Sequence, residues 1–166
     1  MNIDLEYPLD IDKILRKKKS IKKELLNKKN LVEKNIAILG GSTTSEIKNI
    51  LELFLLDSGI KPNFYESEYN KYYEDALFGS DALDKFNPDI VYIHTTNKNI
   101  IKYPEFEDSE EEVFALIKNE IERYKSIWSS LSKYNCPLIQ NNFDYTINRS
   151  LGNLDFYDIH GKTYFI

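Results

Sequence analysis

A run of small polar residues, Gly40-Gly41-Ser42-Thr43-Thr44, follows an apolar stretch and precedes a helical pattern. A serine at such a corner is a candidate nucleophile, because the helix dipole and free backbone N–H groups stabilise negative charge near it. The same corner is a candidate phosphate site, since a helix N-terminus binds anions. It lacks the glycine and lysine spacing of nucleotide-binding loops, so a phosphate would depend on the helix terminus alone. In a third interpretation Ser42, Thr43 and Thr44 only cap the helix.

The elements that would position this corner follow from apolar periodicity. Four short apolar runs predict strands: NIAIL, KPNFYES, NPDIVYIHTTN and CPLIQN. Helices are predicted between them, one beginning at a capping box of Thr43 and Glu46 and ending at Gly59, another beginning at a capping box of Ser109 and Glu112. This alternation predicts an α/β fold, a three-layer doubly wound parallel sheet of flavodoxin-like order 2-1-3-4.

In such a sheet the ligand site lies beyond the carboxyl ends of the strands, where the strand order reverses. That rule selects the Gly40–Thr44 corner after the first strand and the Thr95–Lys98 corner after the third. The two loops are therefore expected to converge. Tyr65, at the end of the second strand, is a candidate wall for an acyl or pantetheine chain; in the alternative, the nearby tyrosines only pack a helix onto the sheet.

The composition limits the class of protein. With 166 residues, 42% hydrophobic and 30% charged, the chain has the profile of one globular domain. Its single cysteine, Cys136, is expected to be a small buried residue, so no disulfide or metal is predicted. No apolar run is long enough for a membrane span, no signal peptide is recognisable, and we expect a cytoplasmic protein.

Charge is distributed unevenly along the chain. Residues 1–34 carry ten Lys or Arg against six Asp or Glu, whereas the whole chain has a net charge of −5. An acidic body argues against binding to nucleic acid. We interpret residues 1–34 as a basic leader helix and residues 35–166 as the α/β domain, incomplete at its carboxyl end. The leader helix either packs on its own domain or docks an acidic partner.

The order of the polar blocks resembles that of the SGNH (GDSL-like) hydrolases. Gly40-Gly41-Ser42, then Gly79 in LFGSDAL, then Thr95-Thr96-Asn97-Lys98 match the first three blocks of that family in order. By this resemblance Ser42 would be the nucleophile, with Gly79 and Asn97 donating to an oxyanion. His160 would be the candidate for the histidine, and Gly40, Gly41, Thr43, Thr95, Thr96 and Tyr65 would contact the substrate.

Each block departs from the SGNH pattern. Gly41 stands where the family has Asp, and Thr95 and Lys98 replace the Gly and Asp of the third block. In NLDFYDIHGK, Tyr157 occupies the position three residues before His160, where the family has Asp. Without a positioned base the serine would stay unactivated.

Longer segments resemble the amino-terminal domain of the FkbH-like proteins, notably FYESEYNKY and QNNFD followed by LGNLD. In that family an SGNH-like domain precedes a haloacid-dehalogenase-like domain, and the whole protein loads a glyceryl unit onto an acyl carrier protein. The resemblance implies two partners, an acyl carrier protein and a haloacid-dehalogenase-like domain of the same parent protein. It also implies no cofactor in this domain and a parent protein that is a phosphatase or glyceryl transferase.

Three functions remain open from the sequence. The chain would bind a carrier-tethered acyl group or its carrier without catalysis, or use Ser42 in acyl transfer with a histidine beyond residue 166, or bind phosphate or a nucleotide at the Gly40–Thr44 corner.

Overall fold

The computed structural model describes residues 3–146 and 148–166, and its centre is a parallel four-stranded sheet in the order β2-β1-β3-β4. The strands are β1 (Val32–Gly40), β2 (Ile60–Glu66), β3 (Ile90–His94) and β4 (Leu138–Gln140). This confirms the predicted doubly wound α/β fold and its strand order. β1 begins three residues before the predicted run, because Glu33 and Lys34 interrupt the apolar pattern but are held by ion pairs to Lys61 and Asp89.

Six α-helices surround this sheet in the described residues. They are α1 (Ile11–Leu26), α2 (Ser45–Asp57), α3 (Tyr72–Phe78), α4 (Asp81–Phe86), α5 (Glu110–Leu131) and α6 (Lys162–Phe165). Short 3-10 helices occur at Ile3–Leu5, Asn97–Asn99, Ser132–Tyr134 and Gly152–Phe156. The connections between parallel strands therefore run through helices, as a parallel sheet requires.

One face of the sheet is covered by α3, α4 and α5. Side chains alternate between faces along a strand, so Ala37 and Leu39 of β1 point to the same side. They form a buried cluster with Val91 and Ile93 of β3 and with residues of the three helices: Tyr72, Ala76, Leu83, Tyr124, Ile127 and Leu131. This cluster fixes α5 and α3 beneath the loops that leave the carboxyl ends of the strands.

The other face carries α2, and α1 packs on the outside of α2. Ile14, Ile21 and Leu25 of α1 are buried with Leu53 and Leu56 of α2. Lysines of α1 also pair with carboxylates of the same domain, in the pairs Lys13–Asp4, Lys18–Glu46 and Lys22–Glu52. The basic helix thus lies on its own domain, and these pairs neutralise part of its charge.

An apolar groove of about 270 Å³ lies between α2 and the uncovered part of this face, lined by Ile36, Ile47, Leu51, Leu55, Ile90, Tyr92 and Ile139.

No helix in the described ranges has the length and apolar character needed to cross a membrane.

The helix ends show where local signals succeed. Ser109 and Glu112 form the predicted capping box of α5. Gly59 follows α2 with a φ of 85°, a conformation that suits glycine at this position. The predicted capping box of Thr43 and Glu46 is wrong, because α2 starts at Ser45 and its N-cap is Thr44.

Candidate functional site

The ends of β1 and β3 bring two polar loops together. Gly40 pairs with His94 in the sheet register, and the Gly41 amide donates to the His94 carbonyl at 2.8 Å. The chain leaves both strands at the same level, at the point where the strand order reverses. The loops beginning at Gly41 and Thr95 are therefore adjacent, as the fold class predicts.

A polar cavity of about 480 Å³ opens above these strand ends. Loops that follow all four strands contribute to it. The lining residues are Gly41, Ser42 and Thr43 after β1, Tyr69 and Asn70 after β2, Thr96, Lys98 and Asn99 after β3, and Asp144 after β4. Hydroxyl, amide, ammonium and carboxylate groups thus face one space, an arrangement suited to a small, polar, hydrogen-bonding ligand.

Asn99 joins the walls of this cavity. Its Nδ2 donates to the Gly41 carbonyl at 2.8 Å and to Asn70 Oδ1 at 3.2 Å. Its Oδ1 accepts from the Thr96 amide at 2.8 Å. A Cβ on Gly41 would lie 2.5 to 2.6 Å from the Asn99 side chain, so any larger residue at this position would displace Asn99. The block pattern in the sequence points to Asn97 and not to Asn99, although the Thr96-x-x-Asn99 spacing is that of a cap.

Asn97, the predicted oxyanion donor, is not part of the cavity wall. Its Nδ2 donates to the carbonyls of Asp144 and Tyr145, at 3.2 and 3.3 Å, and its backbone amide donates to Asp144 Oδ1 at 2.8 Å. The Tyr103 hydroxyl donates to the Asn97 carbonyl at 2.7 Å. Asn97 therefore fastens the loop after β4. Its side-chain and backbone N–H groups donate to that loop and not to the cavity.

Gly79 and Tyr65 lie away from the cavity, at the packing of α3 and α4 on the sheet. Gly79 has a φ of 75° and follows the last residue of α3, near Lys133 and Asp84. The Tyr65 hydroxyl donates to Asp75 Oδ2 at 3.0 Å, and burial raises the pKa of Tyr65. The structure does not bring either residue to Ser42.

Gly40 and Thr95 lie beneath the cavity rather than in its wall. The Gly40 amide donates to Ser67 Oγ at 2.9 Å, which ties the end of β1 to the loop after β2. The Thr95 amide donates to Asn141 Oδ1 at 3.0 Å, and the Thr95 carbonyl accepts from Asn141 Nδ2 at 2.7 Å. These bonds hold in place the strand ends from which the loops of the cavity begin.

Neither histidine of the chain lines the cavity with Ser42. His160 Nδ1 lies 2.8 Å from Asp158 Oδ1, and its Nε2 lies 2.9 Å from the Asp108 carbonyl oxygen. His94 Nδ1 lies 3.1 Å from the Tyr92 hydroxyl. Within the described ranges the serine hydroxyl is therefore without an imidazole base, which a serine nucleophile needs.

The buried Asp155 of the LGNLD segment is a structural group. Its Oδ2 accepts from the Thr163 amide at 2.8 Å and from the Thr163 hydroxyl, and so fastens the start of α6. Hydrogen bonds from Thr163 offset the effect of burial and keep the pKa of Asp155 below its usual range. Among the hydrogen bonds of the described residues, none joins Asp155 to His160.

The N-terminus of α2 borders the cavity without a side-chain cap. Thr44, the N-cap residue, instead donates its hydroxyl to Glu66 Oε1 at 2.6 Å, and Lys48 pairs with the same carboxylate. Burial alone would raise the pKa of Glu66, but the bonds from Lys48 and Thr44 hold it below its usual value. The first-turn backbone amides of α2 therefore donate no hydrogen bond to the Thr44 side chain.

No group of three or more metal-ligating side chains occurs among residues 3–146 and 148–166. The residues that line the cavity fit an organic ligand better than a divalent cation, since Asp144 is the one carboxylate among them.

Comparison with known proteins gives one structural likeness. No protein-family model matches the sequence, and no curated protein matches it. The fold is similar to that of the N-terminal part of the protein BF1531 from Bacteroides fragilis, whose crystal structure contains a phosphatase domain complexed with Mg. The TM-score is 0.67 at 18% identity, and the match covers 89% of this chain and 39% of that chain. This likeness shows the fold, and the chain spans less than half of that structure.

Proposed function

We propose that this chain is the SGNH-like amino-terminal domain of an FkbH-like protein, and that its cavity holds a glyceryl or other short acyl group tethered to an acyl carrier protein. The observation that carries the proposal is the four-loop polar cavity, which contains Ser42 without an imidazole. The site can bind and orient a ligand, while the chemistry takes place elsewhere in the parent protein.

The lining supports a hydroxylated acyl group more than a long alkyl chain. Ser42, Thr43 and Asn70 offer donors and acceptors to hydroxyl groups, and Lys98 offers a donor to a carbonyl oxygen. A buried hydroxyl that finds such partners is recognised strongly, because an analogue without it leaves those partners unpaired. A fatty acyl chain would leave the polar groups of this cavity without partners.

The similar structure supports placing the domain beside a phosphatase-type domain. The N-terminal part of BF1531 contains a phosphatase domain complexed with Mg. The described residues of this chain hold no metal-binding cluster of their own. In our proposal the phosphate and metal chemistry belongs to a haloacid-dehalogenase-like domain of the parent protein. The chain described here presents the acyl acceptor or the product to that second domain.

Calorimetric titration with acyl carrier protein tests the proposal. We expect the glyceryl-loaded carrier to bind this chain more tightly than the unloaded carrier, with affinity that falls as salt rises, since carrier proteins are acidic partners. Asn99→Ala should weaken binding of the loaded carrier by about tenfold or more, because it removes a wall of the cavity. The control Asn153→Ala changes an exposed asparagine outside the cavity and should leave the affinity unchanged. Equal affinity for loaded and unloaded carrier would contradict the proposal.

Phosphate or nucleotide binding is a second candidate. It is favoured by the uncapped N-terminus of α2 and by Lys98 in the same cavity, which together offer amide N–H groups and a cation to an anion. Thermal unfolding with and without inorganic phosphate or a nucleoside triphosphate tests it. A ligand at 100 times its dissociation constant adds about 2.7 kcal/mol of stability. An unchanged midpoint at millimolar phosphate would remove this candidate.

Acyl transfer by Ser42 requires a base that the described residues do not bring to it. A fluorophosphonate probe on the full-length parent protein separates this alternative from binding. Labelling of the wild type and not of Ser42→Ala would favour the transferase, and the absence of labelling in both favours the binding domain.

A further inference from the structure

A largely buried arginine of α5 contacts the loop of the cavity wall that carries Asn99. The side chain of Arg123 is 9% exposed, and it pairs with Glu120 on the same helix. Three tyrosine rings surround the guanidinium, with centroids at 4.7 Å (Tyr124), 5.5 Å (Tyr73) and 5.9 Å (Tyr72). Taking a cation out of water costs several kcal/mol, and an apolar residue would fill the same space more cheaply. The charge therefore calls for an explanation other than stability.

The two terminal nitrogens of the guanidinium reach the loop after β3 and the first residue of α3. Nη2 donates to the Asn99 carbonyl at 2.8 Å, and Nη1 donates to the Tyr72 hydroxyl at 2.7 Å. Tyr72 begins α3 directly after the loop that carries Tyr69 and Asn70. Asn99 Nδ2 in turn donates to Asn70 Oδ1, and the chain from Asn70 to Tyr72 completes a ring that returns to Arg123.

The geometry points to Arg123 as the positioning residue of the cavity: it holds the Asn99 loop against the loop that carries Asn70 and thereby fixes the part of the cavity wall that these two residues form. A planar guanidinium holds two acceptors in fixed directions, whereas a lysine ammonium on a flexible stem does not. Ligand selectivity that depends on Arg123 rests on the proposed function above, but the position of Asn99 does not.

Hydrogen exchange at one amide reports this position without any ligand. The Thr96 amide donates to Asn99 Oδ1, so its protection depends on where the Asn99 side chain lies. The neighbouring Thr95 amide donates to Asn141, and the Val91 amide donates to the Pro137 carbonyl inside the sheet. These two amides serve as internal references for local and global opening.

We expect Arg123→Lys and Arg123→Met to speed exchange of the Thr96 amide by about tenfold or more, while Thr95 and Val91 change by less than about twofold. Ser130→Ala is the matched control. Ser130 lies on the same helix and donates to the Ala76 carbonyl of α3 at 2.7 Å, away from the cavity. Its loss should leave Thr96 exchange unchanged relative to Thr95 and Val91.

Unchanged Thr96 exchange in Arg123→Lys would overturn the inference, and so would equal acceleration of all three amides, which marks a general structural role. If Arg123→Met does not fold, Arg123→Lys decides the matter because it keeps the charge. Titration with S-glyceryl-pantetheine then separates the two proposals: faster Thr96 exchange without any binding keeps the positioning role and removes the proposed ligand.

Discussion

Gly41 and Asn99 come from separate loops and specify each other. The side-chain Nδ2 of Asn99 donates to the Gly41 carbonyl, and the Asn99 side chain occupies the space where a Cβ of residue 41 would lie. Close approach of a side chain to backbone is a recurrent reason for glycine in a loop. The pair therefore determines the shape of the cavity floor more directly than Ser42 does.

A Gly41→Ala substitution tests this contact. The added methyl group forces Asn99 out of place, and we expect a loss of about 1–3 kcal/mol in the free energy of unfolding, as for other overpacked sites. Ser42→Ala, one residue along, removes a hydroxyl that faces the cavity and should change stability by less than about 0.5 kcal/mol. Denaturant unfolding followed by the fluorescence of Trp128 measures both. Equal stability of the two variants would contradict the role of Gly41.

The sequence could direct attention to this loop but not to the right asparagine. Ser42, Thr43 and Thr96 follow predicted strand ends, and the structure places them in the cavity wall. Asn97 and Asn99 follow the same strand, and the capping spacing from Thr96 does not by itself place Asn99 in a site. They differ because the loop after β4 supplies carbonyl acceptors to Asn97, and no local signal encodes a contact between residues this far apart in the chain. The roles of the predicted site residues stay predictions.

The elements themselves were predictable because burial on both faces of the sheet leaves unbroken apolar runs. The third strand and α5 follow their predicted positions, and the capping box of Ser109 and Glu112 marks the start of α5. The Thr43–Glu46 signal misplaces the start of α2, which begins at Ser45 after Thr44, and the Thr44 hydroxyl donates to Glu66 at the end of β2 rather than receiving a bond from the helix. A tertiary partner thus overrides the local signal.

At the scale of helices, α1 is an integral part of the domain. Ile21 is 2% exposed and packs against α2, whereas Ile11 on the same helix is 56% exposed. We expect Ile21→Ala to lower the free energy of unfolding by about 2–5 kcal/mol, as large-to-small core changes do. Ile11→Ala should change it by less than about 0.5 kcal/mol. Similar small effects of both changes would show that α1 contributes little to the folded core.

The carboxyl-terminal segment is fastened to the loop before α5 by the His160 imidazole, which has an oxygen acceptor beside each ring nitrogen. Both neighbours of the His160 ring, the Asp108 carbonyl and the Asp158 carboxylate, are acceptors, so both bonds form only when the ring is protonated. These bonds raise the pKa of His160 above its usual value of 6.5. Bonds from the His160 amide and ring also hold the pKa of Asp158 below 3.8.

The raised pKa gives a pH dependence of definite sign. The stability contributed by protonated His160 is complete below pH 6.5 and is lost as the pH rises through the raised pKa. The contribution of Asp158 is present above pH 3.8 and is lost as the pH falls below it. We therefore expect His160→Gln to destabilise the chain more at about pH 5 than at about pH 8. Thermal unfolding of both proteins across this range measures the difference, and a larger effect at the higher pH would contradict the assignment.

At the scale of the whole molecule, the fold gathers loops from all four strands into one polar cavity while the imidazoles are held at other contacts. Ser42 lines this cavity, and among the described residues no imidazole lines it. In our proposal these groups bind and present a ligand, and the chemistry takes place elsewhere in the parent protein.

Chemical-shift mapping with S-glyceryl-pantetheine tests this account most directly. The account predicts that amide signals of Gly41, Ser42, Asn70, Thr96 and Asn99 shift together in a saturable titration, and that the thioester is recovered intact. Shifts confined to the apolar groove between α2 and β3, or thioester cleavage that Ser42→Ala abolishes, would contradict it.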